Sequence, residues 1–140
     1  MISEVRHIGI VVTNMENSLK FYRDLLGLKI VRNMDESGKY LDNMLSMKNV
    51  HVNTVKLATQ NKGQTLIELL EFKLSTRKSG DNSNISRIGA SHVAFTVSDL
   101  DSVYSELVAF GIKFNAPPQY SPDGYAKVTF VMIQMALQSN

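Results

Sequence analysis

His7 and His92 each stand near the start of a stretch that reads as a copy of the other. The first runs His7-Ile8-Gly9-Ile10-Val11-Val12-Thr13-Asn14-Met15-Glu16 and continues through Phe21-Tyr22 to Gly27-Leu28-Lys29-Ile30. The second runs His92-Val93-Ala94-Phe95-Thr96-Val97-Ser98-Asp99-Leu100-Asp101 and continues through Leu107 to Gly111-Ile112-Lys113-Phe114. The copies are offset by 85 residues at the histidines and at Glu16 and Asp101, and by 84 at Gly27 and Gly111. Between them, Glu68 lies in Leu66-Ile67-Glu68-Leu69-Leu70-Glu71, flanked by apolar neighbours. A carboxylate there is costly unless a cation or hydrogen-bond donor compensates it. Two imidazoles and one carboxylate are a ligand set for divalent Fe, Mn, Zn, Ni or Co. Such a set leaves positions open for water and substrate, which suits Lewis-acid chemistry.

The elements that would position these groups follow from periodicity. Residues 4–12 alternate, with Ile8, Ile10 and Val12 on one face and His7, Gly9 and Val11 on the other, which predicts a strand. Asn14 is placed to cap a helix, Glu16 favours its positive end, and Met15, Leu19, Tyr22 and Leu26 repeat at helical spacing. Gly27 can close that helix. A second strand is predicted over 28–33 and a short helix over 40–47. Strands over 50–59 and 64–72 are joined by the turn sequence Gln60-Asn61-Lys62-Gly63. Residues 73–87 are polar and read as the connection between halves. The second half repeats the order: a strand over 91–97, then a helix capped by Asp99 with Leu100, Val103, Leu107 and Phe110 on its apolar face. Gly111 closes it. Strands follow at 112–115 and 127–132, with turns at Pro117-Pro118 and Ser121-Pro122-Asp123-Gly124. By strand parity His7 and His92 face away from the covering helices, and Glu68 faces away from Ile67 and Leu69.

Composition narrows the classes. A 140-residue chain fits one domain, here 1–140, built from a first module over about 1–73, a linker over about 74–88 and a second module over about 89–140. Cysteine is absent, which excludes disulfides, zinc-thiolate clusters and cysteine nucleophiles. No apolar run approaches the length of a membrane span and no signal-like start is present, so the expected location is cytoplasmic. The net charge of +2 comes without a dense basic block, which argues against nucleic acid as a partner. His51 has no repeat counterpart and reads as structural or exposed. Glu71 has the wrong parity for the site and reads as a solvated or edge residue. Arg77, Lys78 and Arg87 could hold an anionic substrate, though a solvated loop is the simpler reading.

With these residues in view, the chain resembles the vicinal-oxygen-chelate superfamily, which includes glyoxalase I, methylmalonyl-CoA epimerase, extradiol dioxygenases and bleomycin- or fosfomycin-resistance proteins. The resemblance rests on His7 to Val12, Ser18-Leu19-Lys20-Phe21-Tyr22-Arg23-Asp24-Leu25-Leu26-Gly27-Leu28, Leu66 to Glu71 and Ser91 to Val97, and spans 4 to about 132. It implies an α+β fold of two tandem βαβββ modules forming a curved mixed sheet around a cup. It also implies metal ligands at His7, Glu68 and His92. The family pattern departs at the end. A turn of the Asp-Pro-Asp-Gly type and a final strand with a fourth, glutamate ligand are expected, but Met132-Ile133-Gln134-Met135-Ala136-Leu137-Gln138-Ser139-Asn140 carries neither. The last strand of the second module is therefore expected to be short or missing, and the metal to be weakly held.

Two classes of function compete on this reading. One is a metal-dependent enzyme acting on a small molecule with vicinal oxygens, as a dioxygenase or a lyase or isomerase. The missing terminal glutamate weighs against proton-transfer chemistry and less against dioxygen chemistry. The other is a metal-free small-molecule-binding protein of the resistance type, or an inactive paralogue with an altered C-terminus. Met44 and Met47 are candidates to wall the substrate pocket, and Tyr120 and Tyr125 to orient polar groups. A stub last strand would leave a sheet edge open to pairing, which predicts a homodimer.

Overall fold

The alternating residues after Arg6 form β1 (His7–Val11) in a computed structural model that describes residues 1–61, 65–73, 86, 89 and 92–131. Asn14 sits in extended backbone and its Oδ1 accepts the Asn17 N–H at 3.0 Å, starting α1 (Met15–Leu19). The helix then widens into a π-helical turn over Lys20–Leu25, where the Leu26 N–H reaches the Phe21 carbonyl at 2.9 Å. The extra residue in that turn shifts the apolar stripe. Phe21, absent from the predicted stripe, becomes the most buried side chain of the helix at 1% exposure, edge-to-face with Tyr22 at 5.1 Å. Leu26 is only half-buried. Gly27 takes a φ of +77° where the chain leaves the helix, a conformation that disfavours any side chain.

The remaining strands of this unit are β2 (Lys29–Ser37), β3 (His51–Ala58) and β4 (Leu66–Phe72), with α2 (Lys39–Leu45) between β2 and β3. They form a mixed sheet in the order β1-β4-β3-β2, in which β1 runs parallel to β4 and the other pairs are antiparallel. The strand β2 extends four residues beyond 28–33. It pairs along the whole of β3, down to Ser37 opposite His51, with an irregularity between Ile30 and Arg32. The mostly polar run Asn33 to Ser37, with Met34 its one apolar residue, hides it from periodicity, because an edge strand needs no apolar alternation when backbone pairing holds it.

Two faces of the sheet are covered differently. Val55, Leu57, Ile67 and Leu69 lie on one face with Phe21, Tyr22, Met15 and Leu19 among the buried residues, and Leu57 and Leu69 are 0% exposed. On the other face, Leu41 of α2 packs with Val50 and Val52 against Leu70 and Phe72. Asp42 fixes the chain after α2 by accepting the N–H groups of Asn49 and Val50 at 3.1 and 2.8 Å. Residues Met1–Lys78 thus form one compact unit holding a complete βαβββ module.

The second compact unit is Ser79–Asn140. Its helix α3 (Leu100–Ala109) begins as predicted, with Asp99 accepting the Ser102 N–H at 3.1 Å and the Ser102 hydroxyl at 2.9 Å. Leu107 and Ile112 are buried, while Phe110, predicted on the apolar face, is exposed. Strands β5 (Gln119–Tyr120) and β6 (Lys127–Val128) pair antiparallel around the Ser121 to Gly124 turn, and Phe114 bridges Val131. The predicted strands at 112–115 and 127–132 are thus reduced to this bridge and short ladder. Residues 92–97, predicted within a strand over 91–97, pair with no strand among the described residues. Alternation marks a chain that could pair, but a strand exists only with a partner. In the first unit that partner of β1 is β4. No helix among the described residues is long and apolar enough to cross a membrane.

Candidate functional site

Strand register builds the site in the first unit. In the parallel β1–β4 ladder Gly9 is the partner of Glu68, and in the antiparallel β3–β4 ladder Lys56 is the partner of the same residue. Partners across a ladder point to the same face, so Glu68 has a bare glycine on one side and a lysine on the other. The first side chain of β1 to share its face is therefore His7, two residues before Gly9. Gly9 also sits under Leu70, whose Cδ1 a Cβ at that position would approach to 3.3 Å.

The two carboxylate oxygens of Glu68 are divided between these neighbours. His7 Nε2 stands 3.7 Å from Oε1, and Lys56 Nζ stands 3.7 Å from Oε2. Both separations exceed hydrogen-bond length; the Lys56 contact is an ion pair, and the His7 contact is an approach of the imidazole to the carboxylate. The Glu68 side chain is 14% exposed, Lys56 23% and His7 35%, so the acid is sheltered and the imidazole opens toward solvent. The face holding them is apolar at its other end, where α2 lies over Val52, Leu70 and Phe72. Met44, near the end of α2, and Met47, just after it, are both exposed.

The other candidates belong to the second unit. His92 is exposed and meets the Phe130 ring edge-to-face at 5.5 Å. Tyr120 lines an open groove of about 420 Å³ with Asn115, Pro117, Val128 and Phe130, and the Lys127 ammonium lies 5.1 Å from its ring centre. Hydrogen bonding to Asp101 raises the Lys127 pKa above the ordinary lysine value. Tyr125 is almost fully exposed in the turn and does not line the groove. Among the described residues no group of three or more histidine, cysteine, aspartate or glutamate side chains that could hold a metal ion occurs. Arg77, Lys78 and Arg87 lie outside the described residues.

One assignment changes and one residue is added. Glu71 is not a solvated edge residue: its Oε2 accepts the Met15 N–H at 2.5 Å and its Oε1 pairs with Lys73 at 2.6 Å. Its parity turns it toward the start of α1, where a carboxylate satisfies an otherwise unbonded helix N–H. Lys56 was not singled out from sequence at all. Only its even spacing from the buried Val52 and Thr54 hinted at an inward position, and its pairing with Glu68 depends on register. His51 is exposed, with Asp35 Oδ1 4.0 Å away.

A family model described as Glyoxalase/Bleomycin resistance protein/Dioxygenase superfamily matches residues 4–130. No curated protein matches the chain. Solved structures with similar folds include a glyoxalase family protein from Bacillus cereus, at 20% identity and TM-score 0.71, covering 86% of this chain and 81% of that one. The trypanothione-dependent glyoxalase I of Leishmania major matches at 18% identity and TM-score 0.59, covering 99% and 92%. A fosfomycin resistance protein from Listeria monocytogenes matches at 14% identity and TM-score 0.57, covering 94% and 86%. Identities this low establish a shared fold alone.

Proposed function

Since the chain belongs to the glyoxalase/bleomycin resistance protein/dioxygenase superfamily, we propose that it is a metal-dependent enzyme acting on a small molecule with vicinal oxygens. The observation that carries this reading is the approach of His7 Nε2 to Glu68 Oε1 at 3.7 Å on one sheet face. An imidazole nitrogen and a sheltered carboxylate oxygen are donors that Fe, Mn, Ni, Co or Zn accepts, so these residues fit such an ion. His7 and Glu68 would hold it; His92, the further ligand expected from the repeat, belongs to the second unit. When bound, the metal supplies Lewis acidity toward two neighbouring substrate oxygens.

The chain's own residues do the rest. Gly9 puts no side chain of β1 beside Glu68, and the Leu70 side chain takes the space above it. The apolar end of the same face, with Met44 and Met47 near it, offers contact for the non-polar part of a substrate. Tyr120, which lines the groove of the second unit, would orient polar groups of a molecule bound there. The protein would act as a homodimer, and light scattering at micromolar concentration showing only monomer would refute that.

Metal analysis tests the reading directly. The protein is purified without chelator, loaded in turn with Fe(II), Mn(II), Ni(II), Co(II) or Zn(II), and compared with His7→Ala, Glu68→Ala and His92→Ala. Near-stoichiometric metal in the wild type and its loss in each variant is the expected result. Wild-type protein that takes up none of the five, or a Glu68→Ala variant that keeps its metal, would overturn it. A second reading, a metal-free small-molecule-binding protein, is favoured by one observation: Lys56 already gives Glu68 a cation. Ligand binding by protein without metal would support that reading.

A further inference from the structure

We infer that Lys56 is a tethered cation that competes with the metal for Glu68, so that the carboxylate exchanges between a lysine-paired and a metal-bound state. The inference rests on the metal-site reading above. Its basis is one row of the sheet, in which Gly9 of β1, Glu68 of β4, Lys56 of β3 and Arg32 of β2 are successive ladder partners. Two cations in a row, with an acid beyond them, cannot all be indifferent to one another. Like charges directly opposite repel, so Arg32 disfavours any placement of the Lys56 ammonium toward β2. The ammonium is found on the other side, 3.7 Å from Glu68 Oε2.

The pair is sheltered enough to matter. With the Glu68 and Lys56 side chains 14% and 23% exposed, salt and water screen it less than a surface pair. It also does not seal the site. The ammonium engages Oε2 while Oε1 faces His7, and a lysine head on a four-carbon stem can swing away without moving the strand. A dication and an ammonium on one carboxylate repel, so metal binding costs the lysine contact. Without metal, Lys56 spares Glu68 the penalty of an uncompensated buried charge. The site is thereby stable when empty and takes metal only against an internal competitor.

The test is metal affinity, not activity. Co(II) and Zn(II) dissociation constants are measured by calorimetry and indicator competition for the wild type, Lys56→Met, Lys56→Gln and Lys56→Arg. Removing the competing charge is expected to tighten binding about tenfold or more, since the pair is worth more than an exposed one. Lys56→Arg, which keeps the charge, should stay within about threefold of the wild type. Thermal unfolding of the metal-free Lys56→Met protein should be earlier than that of the wild type, and added metal should reverse the order. Lys56→Gln serves if Lys56→Met does not fold. Neutral variants that bind no tighter than the wild type would overturn the inference. If metal binding is still lost in His7→Ala and Glu68→Ala, the metal site survives and only the role of Lys56 falls. Absence of metal binding in every protein would overturn both.

Discussion

Raising the pH above 10 should destabilise the protein through one residue, Tyr22. Burial in the π-helical turn pushes its phenol from an ordinary 10.0 up to about 12, because the phenolate would be stranded away from water beside Phe21. The sign follows from proton binding. Below pH 10 the phenol is protonated in folded and unfolded chains alike, and its stabilising contribution is fully present. Between pH 10 and 12 the unfolded chain releases the proton while the folded one keeps it, so stability falls as pH rises. At about 1.36 kcal/mol for each unit of pKa, the loss is about 1.4 kcal/mol at pH 11 and approaches about 2.7 kcal/mol above pH 12. Urea denaturation of the wild type and Tyr22→Phe at pH 8, 10 and 11 isolates the effect, because the other titrating groups are common to both proteins. The wild type should lose stability relative to Tyr22→Phe only above pH 10. Stability curves that stay parallel to pH 11 would refute the burial argument, and so would a difference that opens below pH 9.

Other perturbations probe the scaffold under the site. Leu69→Ala empties a position that is 0% exposed on the helix-covered face of β4. It should cost about 2–5 kcal/mol by chemical denaturation, and a cost below about 1 kcal/mol would contradict the packing described. Asn14→Ala removes the acceptor for the Asn17 N–H and should cost about 1 kcal/mol, with Asn14→Asp restoring most of it. An unchanged denaturation midpoint in Asn14→Ala would show that the cap does not hold α1.

Much of the first unit was legible because its signals are local. A cap, a helix stripe, a closing glycine and strand alternation each reside in a few consecutive residues. Asn14, Gly27, β3, β4 and the facing sides of His7 and Glu68 could therefore be read without knowing what lay opposite. The same local signals placed Asp99 and Gly111 at the two ends of α3.

Where strands pair at long range, the sequence was silent. Lys56 lies opposite Glu68 only because β3 and β4 meet in one register, and a slip of one residue would turn that ammonium to the helix-covered face. Glu71 caps α1 across 56 residues of chain, a contact no short window contains. The π-helical turn moved Phe21 into the core, where a regular helix would have placed Leu26. Strand β2 outran its apolar pattern because β3 supplied the backbone partners. Periodicity states which side of an element is apolar. Register and packing, set by burial summed over the whole sheet, decide which side chains meet there.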